Sequence, residues 1–183
     1  MSTSALPARN ILRHYRAATQ EAIEAGTHWY EAALAICRDA AKEHELDLER
    51  AVCALAHLSS RLPWTKNVEA FSILVSGQPR PAWVLTRSWQ QASAALVAAD
   101  PWSTFGRRAS KTRSFAQAIL GDENAVTVDV WAARVAGVDP NILRLPREYA
   151  AVAEAYRRAA KRVGLTPREL QAIVWCAIRG RAA

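Results

Sequence analysis

The chain has 183 residues, of which 51% are hydrophobic and 22% are charged, as is typical of one folded domain with an apolar core. We therefore expect a single domain over residues 1–183, with residues 1–8 flexible. The net charge of +7 is spread along the chain and favours a polyanionic partner, most often nucleic acid. A soluble protein with an arginine-rich surface and no such partner is the alternative.

The three cysteines, Cys37, Cys53 and Cys176, lie far apart, and the sequence has no CxxC pair or Cys/His cluster. This pattern argues against a zinc or iron–sulfur site and predicts buried, reduced thiols in a cytoplasmic protein without metal or other cofactor. Residues 1–9 lack the apolar core of a signal peptide, and no apolar run approaches the ~20 residues of a membrane span. We therefore expect no membrane partner.

The composition predicts an all-α fold, because glycine and proline are few and no segment alternates long enough to indicate a sheet. Gly26 is interpreted as the break after the first helix. Polar residues at the predicted helix starts are expected to be N-caps, namely Thr27, Asp47, Thr65 and Thr166. Apolar periodicity predicts helices over about 10–24, 28–44, 47–60, 66–76, 82–98, 110–120 and 147–163, a short helix within 126–135, and a last one after Thr166.

Two stretches of the chain combine basic and aromatic residues. Residues 58–68 form a polar elbow that could contact DNA or a ligand, although an ordinary corner between two helices explains it equally well. Residues 102–108 form a basic, aromatic connector that leads into the helix at 110. Arg107, Arg108, Lys111 and Arg113 lie within seven positions there, beside a helix start whose free N–H groups favour anions. A solvated cluster of charges is the alternative interpretation.

Lys111 opens the helix over 110–120, and Asp129 opens the helix that follows. If both helices pack on one core, their polar starts can converge at the same end. An amine that faces a carboxylate across a cleft is a plausible catalytic pair, and it is equally a plausible salt bridge. We expect the two groups to border the same cleft, within roughly 10 Å of each other.

The residues around this pair resemble the helix-hairpin-helix DNA glycosylases, the endonuclease III-like superfamily. The segment 127–135, TVDVWAARV, is similar to the family's aspartate motif, with Arg134 five positions after Asp129. Lys111–Thr112 is similar to the Lys-Thr that follows the family's hairpin. A weaker similarity joins residues 58–61 and 67–68 to a Leu-Ser element that reaches into the DNA. The C-terminal helices look more like short actinobacterial or phage-encoded relatives of unassigned function.

The resemblance implies a helix-hairpin-helix glycosylase-like fold and a glycosylase/AP lyase activity on duplex DNA. Lys111 would be the amine nucleophile that attacks the sugar C1′ and forms a Schiff base, and Asp129 would activate it and stabilise the oxocarbenium-like transition state. The base would be flipped into a pocket. The implied base-pocket residues are Trp64, Trp102 and Trp131, and the implied DNA contacts are Arg61, Lys66, Asn67, Arg107, Arg108, Ser110 and Arg113.

The chain departs from the family at the hairpin, where Arg107 and Ala109 occupy the positions of two glycines. Those glycines let backbone amides approach a phosphate closely. Arg61 replaces the usual glutamine, and Trp131 replaces a common histidine. A non-catalytic nucleic-acid-binding module on the same scaffold is therefore a second hypothesis. A helical protein–protein adaptor, in which Lys111 and Asp129 only cap helices or form an ion pair, is a third.

Overall fold

A computed structural model describes residues 6–180. Within that range the chain forms helices and no β-strand. The all-α prediction is therefore confirmed. The chain divides into two compact units, the first with residues 6–30 and 121–180 and the second with residues 31–120. A single domain over residues 1–183 stays a prediction. The α-helices are α1 (Leu6–Arg16), α2 (Gln20–Thr27), α3 (Trp29–Glu43), α4 (Leu48–Leu58), α5 (Trp64–Val75), α6 (Thr86–Val97), α7 (Ser110–Ile119), α8 (Val130–Ala136), α9 (Pro146–Val163) and α10 (Pro167–Arg179).

In the first unit, α1, α8, α9 and α10 enclose an apolar core. Residues one turn apart on α1, α9 and α10 face it, since helical periodicity gives each helix one apolar side. Its largest fully buried side chains include Ile11, Val126, Val128, Tyr156 and Leu170. A 3₁₀ turn at Pro140–Arg144 connects α8 to α9. The core thereby supports the stretch that leads into α8, where Asp129 lies.

The start of the chain differs from the prediction in three ways. Residues 1–5 lie outside the described range, whereas residues 6–8, which we expected to be flexible, begin α1, and Ala8 is buried. The helix predicted over 10–24 is two helices, because Thr19 caps α2 by accepting from Ala22 N at 3.2 Å. Thr27 is not a cap but the last residue of α2.

Gly26 does not break a helix; it lies inside α2, where α2 crosses α10. A Cβ atom at Gly26 would lie 2.3 Å from the Cα of Ile173, closer than real side chains approach. Only glycine therefore permits this crossing, and the prediction that Gly26 ends a helix is wrong. The packing requirement, rather than backbone freedom, explains the residue.

In the second unit, α4 is the central helix and packs against α5, α6 and α7. Every residue from Ala51 to Leu58 is buried, and small alanines in this run let the neighbouring helices approach closely. The predicted cap at Asp47 is confirmed, since its Oδ1 accepts from Arg50 N at 3.1 Å. A 3₁₀ turn at Pro101–Thr104 precedes α7.

Two helix starts in the second unit differ from the prediction. Pro63 occupies the N-cap position of α5, so Thr65 is a helical residue and the cap predicted there is wrong. Helix α6 begins at Thr86 rather than 82, since the guanidinium of Arg80 donates to the carbonyl of Val84 and holds a turn there. Trp83, predicted to lie in this helix, is 40% exposed.

The three cysteines are buried and free, as predicted. Burial raises the pKa of the Cys37 and Cys53 thiols to about 12 and that of Cys176 to about 11. Residues 6–180 contain no group of three or more His, Cys, Asp or Glu side chains that could hold a metal ion. No helix in the same range is both long enough and apolar enough to cross a membrane.

Candidate functional site

A buried, extended segment over residues 126–128 leads into Asp129 in the first unit. Its backbone is held by one side chain of α9. The hydroxyl of Tyr149 donates to the carbonyl of Val126 at 2.8 Å and accepts from the amide of Val128 at 3.0 Å. Backbone groups that are buried outside a helix need such partners. The clamp therefore fixes the point at which Asp129 enters α8.

Both carboxylate oxygens of Asp129 accept hydrogen bonds. Oδ1 accepts from the amide of Ala132 at 2.7 Å, which makes Asp129 the N-cap of α8, a role that the adaptor hypothesis allows it. Oδ2 accepts from the indole Nε1–H of Trp175 on α10 at 3.1 Å. A carboxylate oxygen has more than one acceptor position, so each atom can still accept a further bond. The two bonds therefore fix the orientation of the carboxylate without exhausting its capacity.

Trp175 is placed by the crossing of α2 and α10. Because α2 has a glycine at position 26, it lies directly on the backbone of α10 at Ile173. Three residues later, the ring of Trp29 meets the ring of Trp175 edge-on, with centroids 5.9 Å apart. The indole that binds Asp129 is therefore itself held on one side by an aromatic contact.

Buried tyrosines complete the support of this region. Tyr30 donates to Oε1 of Gln171 at 2.7 Å, and the hydroxyl of Thr127 lies 3.1 Å from the Tyr30 oxygen. Since the Tyr30 proton is already used, Thr127 is the donor of that second bond. Tyr156 donates to the carbonyl of Ala132 at 3.2 Å. Burial raises the pKa of Tyr30 and of Tyr156 well above the usual value, so both remain neutral donors.

Trp131, the predicted base-pocket residue of this unit, is half-buried and has two arginines over its ring. The guanidinium carbon of Arg134 lies 4.8 Å from the ring centroid, and that of Arg179 lies 5.2 Å from it. Arg179 is also 5.9 Å from the ring of Trp175. These two exposed side chains therefore lie against Trp131 and Trp175, and Trp175 is the residue that donates to Asp129.

Lys111 lies in the first turn of α7 in the second unit and is half-buried. Its Nζ is 3.4 Å from the carbonyl oxygen of Ser59 and 3.5 Å from the Ser59 hydroxyl oxygen. Ser59 is the C-cap of α4, the helix end that has a partial negative charge. Both distances are long for hydrogen bonds, so these contacts orient the ammonium only weakly.

The amino end of α7 has no side-chain cap, because Ala109 occupies the N-cap position. Arg107 and Arg108 are exposed in the turn before it, and Ser110, its first residue, is half-buried. The exposed Arg113 has its guanidinium carbon 5.6 Å from the ring of Trp102, a second predicted base-pocket residue. Uncapped amides and several cations therefore share one helix start, as an anion site requires.

Of the three residues predicted to contact DNA from the elbow between α4 and α5, only Arg61 and Lys66 are exposed at the surface. Arg61 is exposed and has a left-handed backbone with φ of 63°. Lys66 is exposed but forms an ion pair of 2.6 Å with Glu69. Asn67 is 1% exposed, and neither polar atom of its side-chain amide has a hydrogen-bond partner among residues 6–180. The Asn67 amide is therefore not available at the surface for the predicted DNA contact.

Trp64, the third predicted base-pocket residue, is half-buried at the start of α5. Its ring meets that of Phe115 edge-on, with centroids 6.4 Å apart. Phe115 lies one turn after Lys111 on α7. Trp64 therefore joins the elbow to the helix that begins with the predicted nucleophile.

The structure groups the predicted residues by unit. Asp129 and Trp131 lie in the first unit, and the remaining predicted site residues lie in the second. Within the second unit, Lys111 contacts the elbow at Ser59. Because Lys111 and Asp129 belong to different units, their convergence on one cleft stays a prediction.

The model of one protein family, described as a family of unknown function (DUF7178), matches residues 2–182. The chain belongs to DUF7178. No curated protein matches the chain, and no solved structure matches it. The resemblance to helix-hairpin-helix glycosylases therefore stays a prediction for this DUF7178 protein.

His57 is a buried polar residue of the DUF7178 chain that sequence reasoning did not single out. Its Nε2 lies 2.8 Å from the hydroxyl of Thr104, and its ring stacks on Phe105 at 4.2 Å. Thr104 donates to the carbonyl of Pro101, so His57 is the donor to Thr104 and must have its proton on Nε2. Burial lowers the pKa of His57 to about 4. The neutral ring anchors the turn before Arg107.

The residues that hold Asp129 in this DUF7178 protein were also missed, apart from the aspartate itself. Tyr149 and Trp175 act on residues that lie 21 and 46 positions away in the chain. No local motif signals such long-range bonds. The one available signal was composition, because a buried tyrosine or tryptophan usually needs a polar partner for its O–H or N–H.

Proposed function

We propose that this protein binds DNA and removes or processes a damaged or modified base, with Lys111 as the Schiff-base nucleophile and Asp129 as its acidic partner. The observation that supports this most directly is the Asp129 carboxylate. It is fixed by Ala132 and Trp175 at the position where the resembled motif has its catalytic aspartate. A fixed carboxylate can stabilise positive charge that develops in a transition state without first reorganising.

The chemistry assigns a separate task to each group. The carboxylate of Asp129 first accepts a proton from the Lys111 ammonium. The free amine then attacks C1′ of the sugar, the C1′–N bond to the base breaks, and the base departs with a proton from the newly bonded Lys111 nitrogen. The ring oxygen next leaves C1′ and takes the proton from Asp129, which yields an iminium between Lys111 and the opened sugar and a carboxylate that offsets its positive charge. Both groups must reach the same sugar for this sequence to proceed.

The charge distribution supports DNA as the partner. The chain has a net charge of +7, and the exposed Arg107, Arg108 and Arg113 surround the uncapped start of α7. Phosphates bind well at such helix starts, where N–H groups and the helix dipole act with basic side chains. These features favour contact with the DNA backbone close to Lys111.

Borohydride trapping on duplex DNA with one abasic site tests the chemistry, because borohydride reduces an imine to a stable amine. We expect a covalent complex with the wild-type chain and none with Lys111→Arg. Arginine keeps the positive charge for DNA binding but cannot form the imine, so the affinity should change less than about threefold. Asp129→Asn should lower the yield of complex. Binding without trapping on abasic or modified DNA would remove the enzymatic half of the proposal.

A non-catalytic DNA-binding module is a second candidate function, and the α7 start favours it. Arg107 and Ala109 replace glycines of the resembled hairpin, so the chain grips phosphates with side chains rather than closely approaching amides. In this case Asp129 is only a helix cap. Asp129→Asn should then leave the affinity nearly unchanged while binding keeps a steep dependence on salt. Binding that is independent of salt would argue against this candidate.

A further inference from the structure

Arg134 and Arg179, in the first unit, place two positive charges against the ring of Trp131. Lys111 lies in the second unit. The guanidinium carbons of the two arginines lie 4.8 Å and 5.2 Å from the ring centroid of Trp131. The two charges are therefore no more than about 10 Å apart. Both arginines are exposed, and neither forms an ion pair within residues 6–180. The two arginines thus form a positively charged surface over the Trp131 ring, and no acidic side chain of residues 6–180 neutralises it.

Helix dipoles alone do not explain where these guanidiniums lie. Each arginine is in the last turn of its helix, α8 or α10, where terminal carbonyls attract cations. Instead, both side chains fold back along the helix. Arg134 covers Trp131, three residues earlier, and Arg179 approaches Trp175, four residues earlier. This direction is normal for helical side chains, and it moves the charges away from the helix ends onto the indoles.

We propose that Arg134 and Arg179, held by Trp131, bind the phosphates of a nucleic-acid strand. The inference depends on the DNA partner of the proposed function but not on the Schiff-base chemistry. An arginine held over an aromatic ring loses less freedom when it binds, and its N–H groups match a phosphate in a bidentate geometry. A separation of at most about 10 Å lets both arginines reach phosphates of one strand, since duplex DNA has one phosphate per 3.4 Å of helix axis on each strand.

The Trp131 ring favours a nucleic acid over an acidic protein as the partner of the two arginines. Surfaces that bind nucleic-acid strands combine cations for phosphates with rings on which bases stack. Trp131 is half-buried, so part of this residue remains accessible beside the two arginines. Asp129, two residues earlier, already accepts bonds from Ala132 and Trp175 and does not pair with either arginine. The arginines therefore keep their charge for an external anion.

The double variant Arg134→Gln/Arg179→Gln tests this site, with Arg157→Gln/Arg158→Gln as a matched control. The control removes the same charge from the same unit, but its arginines already share Glu154, at 3.6 Å and 3.9 Å. Affinity of the full chain for a fluorescein-labelled duplex is measured by anisotropy from 50 to 200 mM salt. The loss of two phosphate contacts should reduce the magnitude of the negative slope of log K against log salt by about 1.8. The control should lower it by less than about 0.5.

Trp131→Ala separates a built site from charge alone, because it leaves both arginines in place. We expect it to weaken DNA binding at least threefold, whereas Trp131→Phe keeps a ring and should weaken binding less than Trp131→Ala does. Circular dichroism and the urea midpoint confirm that each variant is folded. An unchanged slope in Arg134→Gln/Arg179→Gln, or an equal loss in the control pair, overturns the proposal.

Failure of the Arg134/Arg179 phosphate site can be distinguished from failure of the proposed Schiff-base chemistry. If trapping fails but the slope falls as expected, the phosphate site stands and Lys111 is not a nucleophile. If the wild-type chain does not bind DNA, both the site and the DNA partner are overturned. Binding of polyglutamate that Arg134→Gln/Arg179→Gln abolishes, without an effect on DNA, would instead assign the pair to an acidic protein partner.

Discussion

The starts of α7 and α8 are both helix beginnings with a predicted catalytic group, but they are built differently. At α8, Asp129 caps the helix itself and its second oxygen is bound by Trp175. At α7, Ala109 provides no side-chain cap, and the contacts of Lys111 to Ser59 are long. The acid is therefore fixed by its own unit, whereas the amine is only weakly oriented by the contacts at Ser59.

This difference separates structural from functional interpretations of the two groups. A self-capped start such as that of α8 has already used part of its affinity for anions on Asp129. An uncapped start with Arg107 and Arg108 beside it retains that affinity for a ligand. We therefore expect phosphate contacts at α7 and an oriented carboxylate at α8. Changes that act on one start alone test this comparison.

The largest effect is expected from Gly26→Ala, which acts on the α8 side through α10. The new methyl group would lie 2.3 Å from the backbone of Ile173, so α2 and α10 must separate. We expect the free energy of unfolding to fall by about 3 kcal/mol, as measured by urea denaturation. Gly106→Ala, before α7, meets nothing within 4 Å and should change it by less than about 0.5 kcal/mol. Equal effects would contradict the close crossing.

The second effect is a pH dependence of stability that arises from His57 on the α7 side. Its pKa is about 4 in the folded protein and 6.5 as an ordinary value, so the unfolded chain binds more protons between these values. Stability is therefore lost as the pH falls from 6.5 to 4, by up to about 3 kcal/mol. His57→Gln should flatten this part of the curve of urea midpoint against pH.

His44→Gln is the control for this titration, since His44 lies outside the Thr104 contact. It should leave the pH dependence of the urea midpoint almost as in the wild-type chain. A curve that stays equally steep in His57→Gln would show that another group causes the loss of stability at acid pH.

Tyr149→Phe is expected to act next in size, at the segment that presents Asp129. It removes the partner of the Val126 carbonyl and of the Val128 amide, both in a buried segment. Leaving them unsatisfied should cost about 2 kcal/mol of unfolding free energy. Hydrogen exchange at Val128 should rise, while amides of α7 keep their protection. A uniform rise across both units would argue against a local clamp.

The smallest effect is expected at the cap itself. Asp129→Ala should lower the free energy of unfolding by about 1 kcal/mol, because the amide of Ala132 loses its acceptor. Asp129→Asn should cost less, since asparagine is also a good cap. If both variants are as stable as the wild-type chain, the capping role assigned to Asp129 is wrong.

Local sequence signals predicted those parts of the fold that depend on local bonds. The caps at Asp47 and Thr166 were predicted from residue type and position, and each is confirmed by a bond to a residue three positions on. The last helix with its buried Leu170 followed from apolar spacing. Such features need no information beyond one or two turns of helix.

The errors occur where a distant contact overrides the local signal. Gly26 indicated a break, but its role is set by Ile173 on another helix. His57 and Trp175 could not be predicted as supports, because their partners are 47 and 46 residues away. The resemblance implied that Asn67 contacts DNA, yet its side chain is buried. The candidate site residues were proposed from a motif, whereas their supports give no such local signal.

Peptide mapping of the borohydride-trapped complex tests the central claim most directly. Trypsin cleaves after Arg108 and after Arg113, and a modified Lys111 blocks cleavage between them. After nuclease digestion, we predict a reduced sugar adduct on the peptide ASKTR, residues 109–113, and on no other lysine. An adduct confined to Lys66 or to the terminal amine, or no adduct at all, would contradict the assignment of Lys111 as the nucleophile.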